Sequence, residues 1–291
     1  MKKLNLFCFG FGQVAKNFVK RIIKEKIDIN LITTTRDEKK TKIFEDLKYQ
    51  NFQLEENKFD KFLVEKLKLA DHILISIPPV NNEDVVIKNL KEEFKNLNIK
   101  WITYLSATSV YGDHDGNWVD ESSSTKPTSV NGVARLKAEN SWIKLSKEFN
   151  LPLQIFRLSG IYSNDYNVLK RLKLGQVKII NKTNHYFSRI HVEDIANALF
   201  ISLNKFKNGE IFNISDNRPA SNEDVIMHGV KLLGLKKPKT IEINEVESQM
   251  LKSFYNDSKK VKNKKMKEFF KLKLKHPSYV EGLNNIFNNF I

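Results

Sequence analysis

"KLNLFCFGFGQVA", residues 3–15, decides the fold. An apolar run over 3–9 ends abruptly in Gly10-x-Gly12-x-x-Ala15 and passes into an amphipathic stretch over 13–25. The run reads as a buried strand and the stretch after it as a helix, so the glycines fall on the turn between them. Gly10 permits a tight turn. Gly12 lets a phosphate approach the backbone where the helix N–H groups point outward, with Gln13 and Val14 opening that helix. Ala15 is small enough for the helix to lie close on the sheet. Strand, glycine turn and helix in this order form a pyrophosphate cradle, which a bare glycine motif would not establish.

Working outward, the same alternation repeats. Strands are expected over 3–9, 29–35, 72–77, 101–106 and 153–158, with "FQLE" (52–55) a weaker sixth. Helices are expected over 13–25, 38–47, 59–69, 83–96 and 131–149. Most of these strands are continuous apolar runs, as a parallel sheet covered on both faces requires. Strand–helix–strand repetition with right-handed crossovers gives an α/β fold with a doubly wound parallel sheet, its ligand crevice at the carboxyl ends of the strands. After residue 160 the rhythm changes to helices over 191–206 and 221–234 around a strand over 210–215. The expected organisation is a nucleotide-binding core over 1–160 and a smaller mixed α/β lobe over 161–291, packed on the core, with some elements interleaved.

Composition narrows the function classes. The 291 residues carry 49 Lys+Arg against 34 Asp+Glu, a net charge of +15. The basic residues are scattered along helical stretches such as "KNFVKRIIKEK", and the densest run, 258–275, alternates lysine with apolar residues like a solvated helix face. A nucleic-acid partner is therefore not expected, and an anionic small molecule fits the charge as well. No apolar run approaches the ~20 residues of a membrane span. The opening run is too short and too glycine-broken for a signal peptide. The single cysteine, Cys8, lies inside the first strand, which excludes a disulfide framework and points to a reduced, cytoplasmic protein. His72, His185, His191, His228 and His276 show no metal-ligand spacing, so no metal is expected.

The end of the second strand selects the nicotinamide cofactor. An acid there would bind a ribose 2′-hydroxyl, whereas arginine accommodates a 2′-phosphate. The chain reads "TTTRD", with Thr35 and Arg36 at that point and Asp37 just beyond. This favours NADP, with NAD open if the strand ends one residue later.

These motifs together resemble the atypical short-chain dehydrogenase/reductases, specifically their NAD(P)-dependent epimerase/dehydratase-like group, and the likeness runs nearly end to end. "LISIPP" (74–79) is similar to that group's fourth strand, which implies that Ser76, Ile77 and Pro78 pass the cofactor. "YLSATSVYGDHDGNWVDESS" (104–123) resembles the fifth strand and substrate-side loop. "RLSGIY" (157–162), "SRIHVEDIANAL" (188–199), "FNISDNRPASNEDV" (212–225) and the tail from 258 follow in the same order and spacing. The resemblance implies a Rossmann fold and an oxidoreductase or epimerase acting on a sugar-nucleotide-like or small carbonyl/hydroxyl substrate.

In that family a tyrosine and a lysine four residues apart share one helix face. The lysine holds the ribose and lowers the tyrosine's pKa, and the tyrosine acts as general acid/base. Carried over, Lys137 of "VARLKAE" (133–139) matches the lysine, but Val133 stands at the tyrosine position. Ala107 stands where a serine or threonine would hold the substrate oxygen. Ser106 and Thr108 flank it, and Ser106 is also a cofactor-side residue by position. The substitute candidates for catalysis are Lys137, Thr108 and Tyr111, with loop packing the alternative role for Tyr111. Asp113, Arg157 and Arg189 are the candidates for binding an anionic substrate. His114 and Asp115 extend the polar loop beside Asp113, and Arg189 could instead pair with Glu193 four residues on. The competing expectation is a non-catalytic dinucleotide-binding sensor or partner-binding module, which the absence of the tyrosine and serine favours.

Overall fold

A computed structural model describes residues 3–290; Met1, Lys2 and Ile291, at the ends of the expected domains, lie outside the described residues. The chain forms two compact units. The first comprises residues 1–107, 133–157 and 195–212, and the second 108–132, 158–194 and 213–291.

The expected first strand and helix form as β1 (Leu4–Phe9) and α1 (Gln13–Lys24). They are followed by β2 (Ile29–Thr35), β3 (Lys40–Phe44), β4 (Leu47–Gln53), β5 (His72–Ile75) and β6 (Trp101–Ala107), with helix α2 (Phe62–Leu67) between β4 and β5. With strands Leu153–Leu158 and Ile211–Ile214 these make one eight-stranded sheet. Its order is 211–214, 153–158, β6, β5, β1, β2, β4, β3. β1 pairs in parallel with both β2 and β5, and β5 with β6, so the chain winds outward in both directions from β1. This is the doubly wound Rossmann arrangement read from the sequence. β3, at one end of the sheet, pairs antiparallel to β4.

Continuous burial explains the apolar runs. Phe7, Phe9, Ile73, Ile75, Ile102 and Tyr104 on the central strands pack with Leu63, Leu67, Val86, Leu90 and Trp142 into one apolar cluster. Burying each large side chain contributes roughly 1.5–3 kcal/mol. Cys8 is buried in β1, and burial pushes its thiol well above the usual range, which leaves it unreactive.

Three local expectations need correction. The helix expected over 38–47 is a hairpin of β3 and β4. Its turn residues Glu45 and Asp46 both have positive φ, 47° and 63°, which suits a two-residue hairpin turn. The Lys- and Glu-rich composition mimics a solvated helix, but parallel pairing of β4 to β2 fixes the segment as strand. The helix expected over 83–96 is α-helical only over α3 (Val85–Leu90), then continues as a 3₁₀ turn to Asn96. Asp84 starts it, its carboxylate accepting the N–H groups of Val86 and Ile87. The strand expected in the C-terminal lobe, Ile211–Ile214, instead forms the edge of the main sheet.

The second unit is built from short elements. Strands Gly160–Tyr162 and Arg189–His191 pair in parallel, and helices Val168–Lys173, Asn222–Leu233 and Tyr279–Phe290 pack through Leu169, Val225, Leu283 and Ile286. The helices approach closely at Gly229, where an added Cβ would lie 2.8 Å from Leu172 Cδ1 and 3.1 Å from Leu169 Cδ2 of the neighbouring helix.

Candidate functional site

In the first unit the glycine turn is locked from three sides. Gly10 has φ +87°, and a Cβ on it would lie 2.8 Å from Ser76 Oγ and 3.0 Å from Ile77 Cγ1. Its N–H donates to Thr34 Oγ1 of β2 at 3.1 Å. Ser76 Oγ lies 3.1 Å from the carbonyl of Phe9 and 3.0 Å from that of Gly10 and donates to them. Ser76, Ile77 and the exposed Pro78 thus follow β5 directly beneath the turn, and Ser76 has a holding role that its sequence position did not reveal.

Gly12 differs. Its φ of −83° is open to any residue, and a Cβ on it would meet nothing within 4 Å. It is the N-cap of α1, has no side chain to cap the helix, and no acid stands in the first turn. The first N–H groups of α1, beginning at Gln13 and Val14, are therefore left to an outside acceptor beside an unobstructed backbone. That is the electrostatic arrangement of an anion site at a helix N-terminus.

At the end of β2, Thr35 Oγ1 accepts the N–H of Asp37 and the Asn51 side-chain amide. The Asp37 carboxylate is taken by Lys42 of β3 at 2.7 Å. The hydrogen bond and charge of Lys42 hold it below the usual carboxylate range. Arg36 is exposed, and its backbone carbonyl accepts from the Gln53 side chain. Lys42 was missed from sequence because its strand was read as part of a helix over 38–47, and Asn51 because it falls between that helix and the strand expected over 52–55.

β6 ends at Ser106 and Ala107. Ser106 Oγ is buried and has no hydrogen-bond partner among the described residues. The helix α4 (Val130–Phe149) turns Ala134, Ala138, Trp142 and Leu145 inward at helical spacing. Arg135 of α4 donates to the Leu105 carbonyl at 2.8 Å, tying the helix to the end of β6. Val133, 45% exposed, and Lys137, also exposed, stand one turn apart on α4. Lys137 is close enough to Glu83 to help lower its carboxyl pKa, after the larger effect of Lys88.

Arg157 lies deep in the same unit. Its Nε and Nη2 donate to both Glu139 carboxylate oxygens, the shortest at 2.7 Å, and the side chains are 5% and 1% exposed. Two parallel bonds between buried groups make this a brace between α4 and strand Leu153–Leu158.

The other expected residues lie in the second unit. Thr108 is partly exposed at the start of a 3₁₀ turn, Thr108–Tyr111. Tyr111 is fully buried, and its hydroxyl donates to Asn213 Oδ1 at 2.7 Å. Asp113 is exposed in the loop. Slight burial raises its pKa, but the N–H groups of Ser258, Asp115 and His114 outweigh that and hold it below the usual range. Lys259, buried beside it, donates to the Gly112 carbonyl at 2.7 Å and fixes the loop. Arg189 spends one guanidinium nitrogen on the carbonyls of Phe187 and Ala220. Glu193, its other expected partner, is engaged by His276 and Lys275.

Among the described residues, no helix is long and apolar enough to cross a membrane.

Comparison with known proteins agrees with this geometry. Residues 10–215 match the model of the NAD dependent epimerase/dehydratase family. A dTDP-D-glucose 4,6-dehydratase from Dictyostelium discoideum is 28% identical over 204 residues, which cover 60% of this chain and 46% of that protein, so the match spans about half of the relative's length. Among solved structures, a conserved protein of unknown function from Silicibacter pomeroyi is 30% identical, with TM-score 0.82 and 98% of each chain covered. A dTDP-glucose 4,6-dehydratase from Bacillus anthracis in complex with NAD shares the fold at 19% identity, TM-score 0.80, over 98% of this chain and 96% of that one. A UDP-glucuronic acid 4-epimerase from Bacillus cereus, also in complex with NAD, does so at 18% identity, TM-score 0.78, over 99% and 98%. The chain belongs to the NAD dependent epimerase/dehydratase family.

Proposed function

We propose that this protein binds NADP(H) in preference to NAD(H), and acts as an oxidoreductase or epimerase on a sugar-nucleotide-like or small carbonyl substrate. The observation that carries the cofactor reading is the uncapped N-terminus of α1 behind the Gly10 turn, with the unpartnered Ser106 Oγ at the end of β6. A pyrophosphate would accept from the α1 N–H groups where Gly12 leaves the approach open. A 2′-phosphate would meet Arg36, while Lys42 withholds Asp37 from competing. When bound, the nicotinamide supplies a hydride acceptor or donor.

The chain's own residues divide the remaining work unequally. Lys137 is positioned on α4 to hold the ribose. Val133 takes the place of the family's tyrosine and has no proton to transfer, and Ala107 takes the place of the hydroxyl that would hold a substrate oxygen. Thr108 is the partly exposed hydroxyl next in sequence and is assigned that contact. Tyr111 is less suited to proton transfer, because its buried hydroxyl already serves Asn213. Val133 also favours a second reading, a dinucleotide sensor without turnover.

Fluorescence titration of NADPH and NADH tests the cofactor reading. NADPH is expected to bind more tightly, and Arg36→Asp to erase or invert the preference. Equal affinities for the two in the unaltered protein would overturn it. Turnover of nucleotide sugars with saturating NADP would select the enzyme reading, and its absence with intact cofactor binding would select the sensor.

A further inference from the structure

His191 and Glu193, two positions apart, converge in the second unit with His276, 83 positions beyond Glu193. Their side-chain ligand atoms all lie within 4.8 Å of one another. His276 Nε2 is 2.7 Å from Glu193 Oε2, and His191 Nδ1 is 3.8 Å from the same oxygen. The two imidazole rings are 3.9 Å apart between centroids. From these distances we propose that His191, Glu193 and His276 form a binding site for a divalent transition metal of the zinc class.

The donor set is two imidazoles and one carboxylate, which suits zinc with a fourth position left for water. Bonds of roughly 2.0–2.2 Å in a tetrahedron place donor atoms about 3.4 Å apart. The observed 2.7 and 3.8 Å separations lie on either side of that value and the third is at most 4.8 Å, so side-chain adjustments of about 1–1.5 Å would seat the ion.

The scaffold holds the donors before any ion arrives. His191 ends a strand paired to Gly160–Tyr162, and its ring stands edge-on to Tyr162 at 5.0 Å. Glu193 lies in the first turn of helix Val192–Ser202, 34% exposed, which provides an entry path. His276 is fixed through its backbone, because the buried Asp194 carboxylate accepts the N–H groups of Lys275 and His276 at 2.6 and 3.0 Å. A metal here would staple the segment before helix Tyr279–Phe290 to the strand and helix carrying the other two ligands.

Two contacts compete with the ion. The Glu193 N–H donates to His191 Nδ1 at 3.2 Å, a long bond that water can replace at a helix N-terminus. Lys275 Nζ lies 2.9 Å from Glu193 Oε2, the oxygen the metal needs. Lys275 is an exposed side chain that can swing into solvent, and it gives the proposal a distinctive test.

The full chain without any affinity tag, stripped with chelator, would be titrated with Zn²⁺ by calorimetry and with Co²⁺ by visible absorption. One ion per chain and a four-coordinate Co²⁺ spectrum are expected. Glu193→Gln and His276→Gln should each weaken binding by more than about tenfold. Lys275→Ala should tighten it by removing the competing ammonium. If His276→Gln does not fold, the more exposed positions 193 and 275 still decide the matter. Absence of stoichiometric binding, or affinity indifferent to Glu193→Gln and Lys275→Ala, would overturn the site.

Discussion

Glu139→Ala should be among the most destabilising substitutions in the chain. The Glu139 carboxylate accepts two bonds from Arg157 Nε, at 3.0 and 3.3 Å, and one from Nη2 at 2.7 Å. At 5% and 1% exposure, solvent cannot replace either partner. Removing the carboxylate takes these bonds and the opposite charge away from a buried guanidinium, and breaking a buried pair in this way costs about 3–5 kcal/mol. Native stabilities run at about 5–15 kcal/mol, so about a fifth or more would be lost. At roughly 2–4 °C per kcal/mol for a chain of this size, the midpoint should fall by about 6–20 °C. Replacing both groups by apolar residues, Glu139→Leu with Arg157→Met, should recover most of that loss, because neither charge then remains to be desolvated. Urea and thermal denaturation of the three proteins, with NADPH titration of each, would measure this. A loss below about 1 kcal/mol for Glu139→Ala would refute the brace. So would a double variant of normal stability that selectively loses an anionic substrate, since Arg157 would then be a binding residue.

Lys137→Ala should weaken NADPH binding roughly ten- to a hundredfold, the worth of a charge-assisted bond of ~1.5–3 kcal/mol, while leaving the melting curve in place; unchanged affinity would make Lys137 a solvated lysine. Burial raises the Asp216 carboxyl from 3.8 to about 7 against the lowering effects of the Arg218 N–H and Arg189. A pKa raised by folding favours the native state below the unfolded value and loses that contribution as pH climbs through the folded one. Asp216→Asn should therefore be stabilising relative to the unaltered protein at about pH 8.5, by at most about 4 kcal/mol, and much less so near pH 5; a pH-independent difference would contradict it. His185 and His191, pushed down to about 4 and about 3 chiefly by burial, act in the opposite sense. Their contribution is present above about pH 6.5 and is lost as pH falls through those values, which Tm against pH would display as an acid limb. DNA binding, if measured by anisotropy, should be weak and fall steeply with salt, because the lysines are dispersed; tight, sequence-selective binding at physiological salt would show that the charge has a dedicated partner.

What was legible in the sequence was what neighbouring residues decide among themselves. Gly10, Gly12 and Ala15 announce a turn, an uncapped helix start and a close helix–sheet contact because all three requirements are met within one short segment. The doubly wound parallel character of the sheet followed from repeating that unit. The β3–β4 hairpin was hidden because the charged residues of "EKKTKIFEDL" (38–47) suit a solvated helix face as well as a solvated strand, and pairing with β2 decided between them. Arg157 read as a site residue because a charge at the end of an apolar strand has no visible partner; its partner lies 18 positions earlier on a helix. The three residues of the metal proposal escaped notice for the same reason, with His276 separated from Glu193 by 83 positions.

The same distinction bears on Val133 and Lys137. Ala134 and Ala138, on the inward face of α4, must be small for the helix to lie on the sheet, so folding dictates them. Val133 is 45% exposed and Lys137 is also exposed, so the core's packing leaves both positions open. Cofactor binding by this fold draws on the Gly10 turn, the end of α1 and the end of β2, all set by backbone geometry that packing enforces. Proton transfer draws on single exposed side chains that packing does not enforce. A chain of this fold could therefore exchange an exposed side chain at either position at little cost to its stability, which is what the proposed reading of Val133 and Lys137 requires.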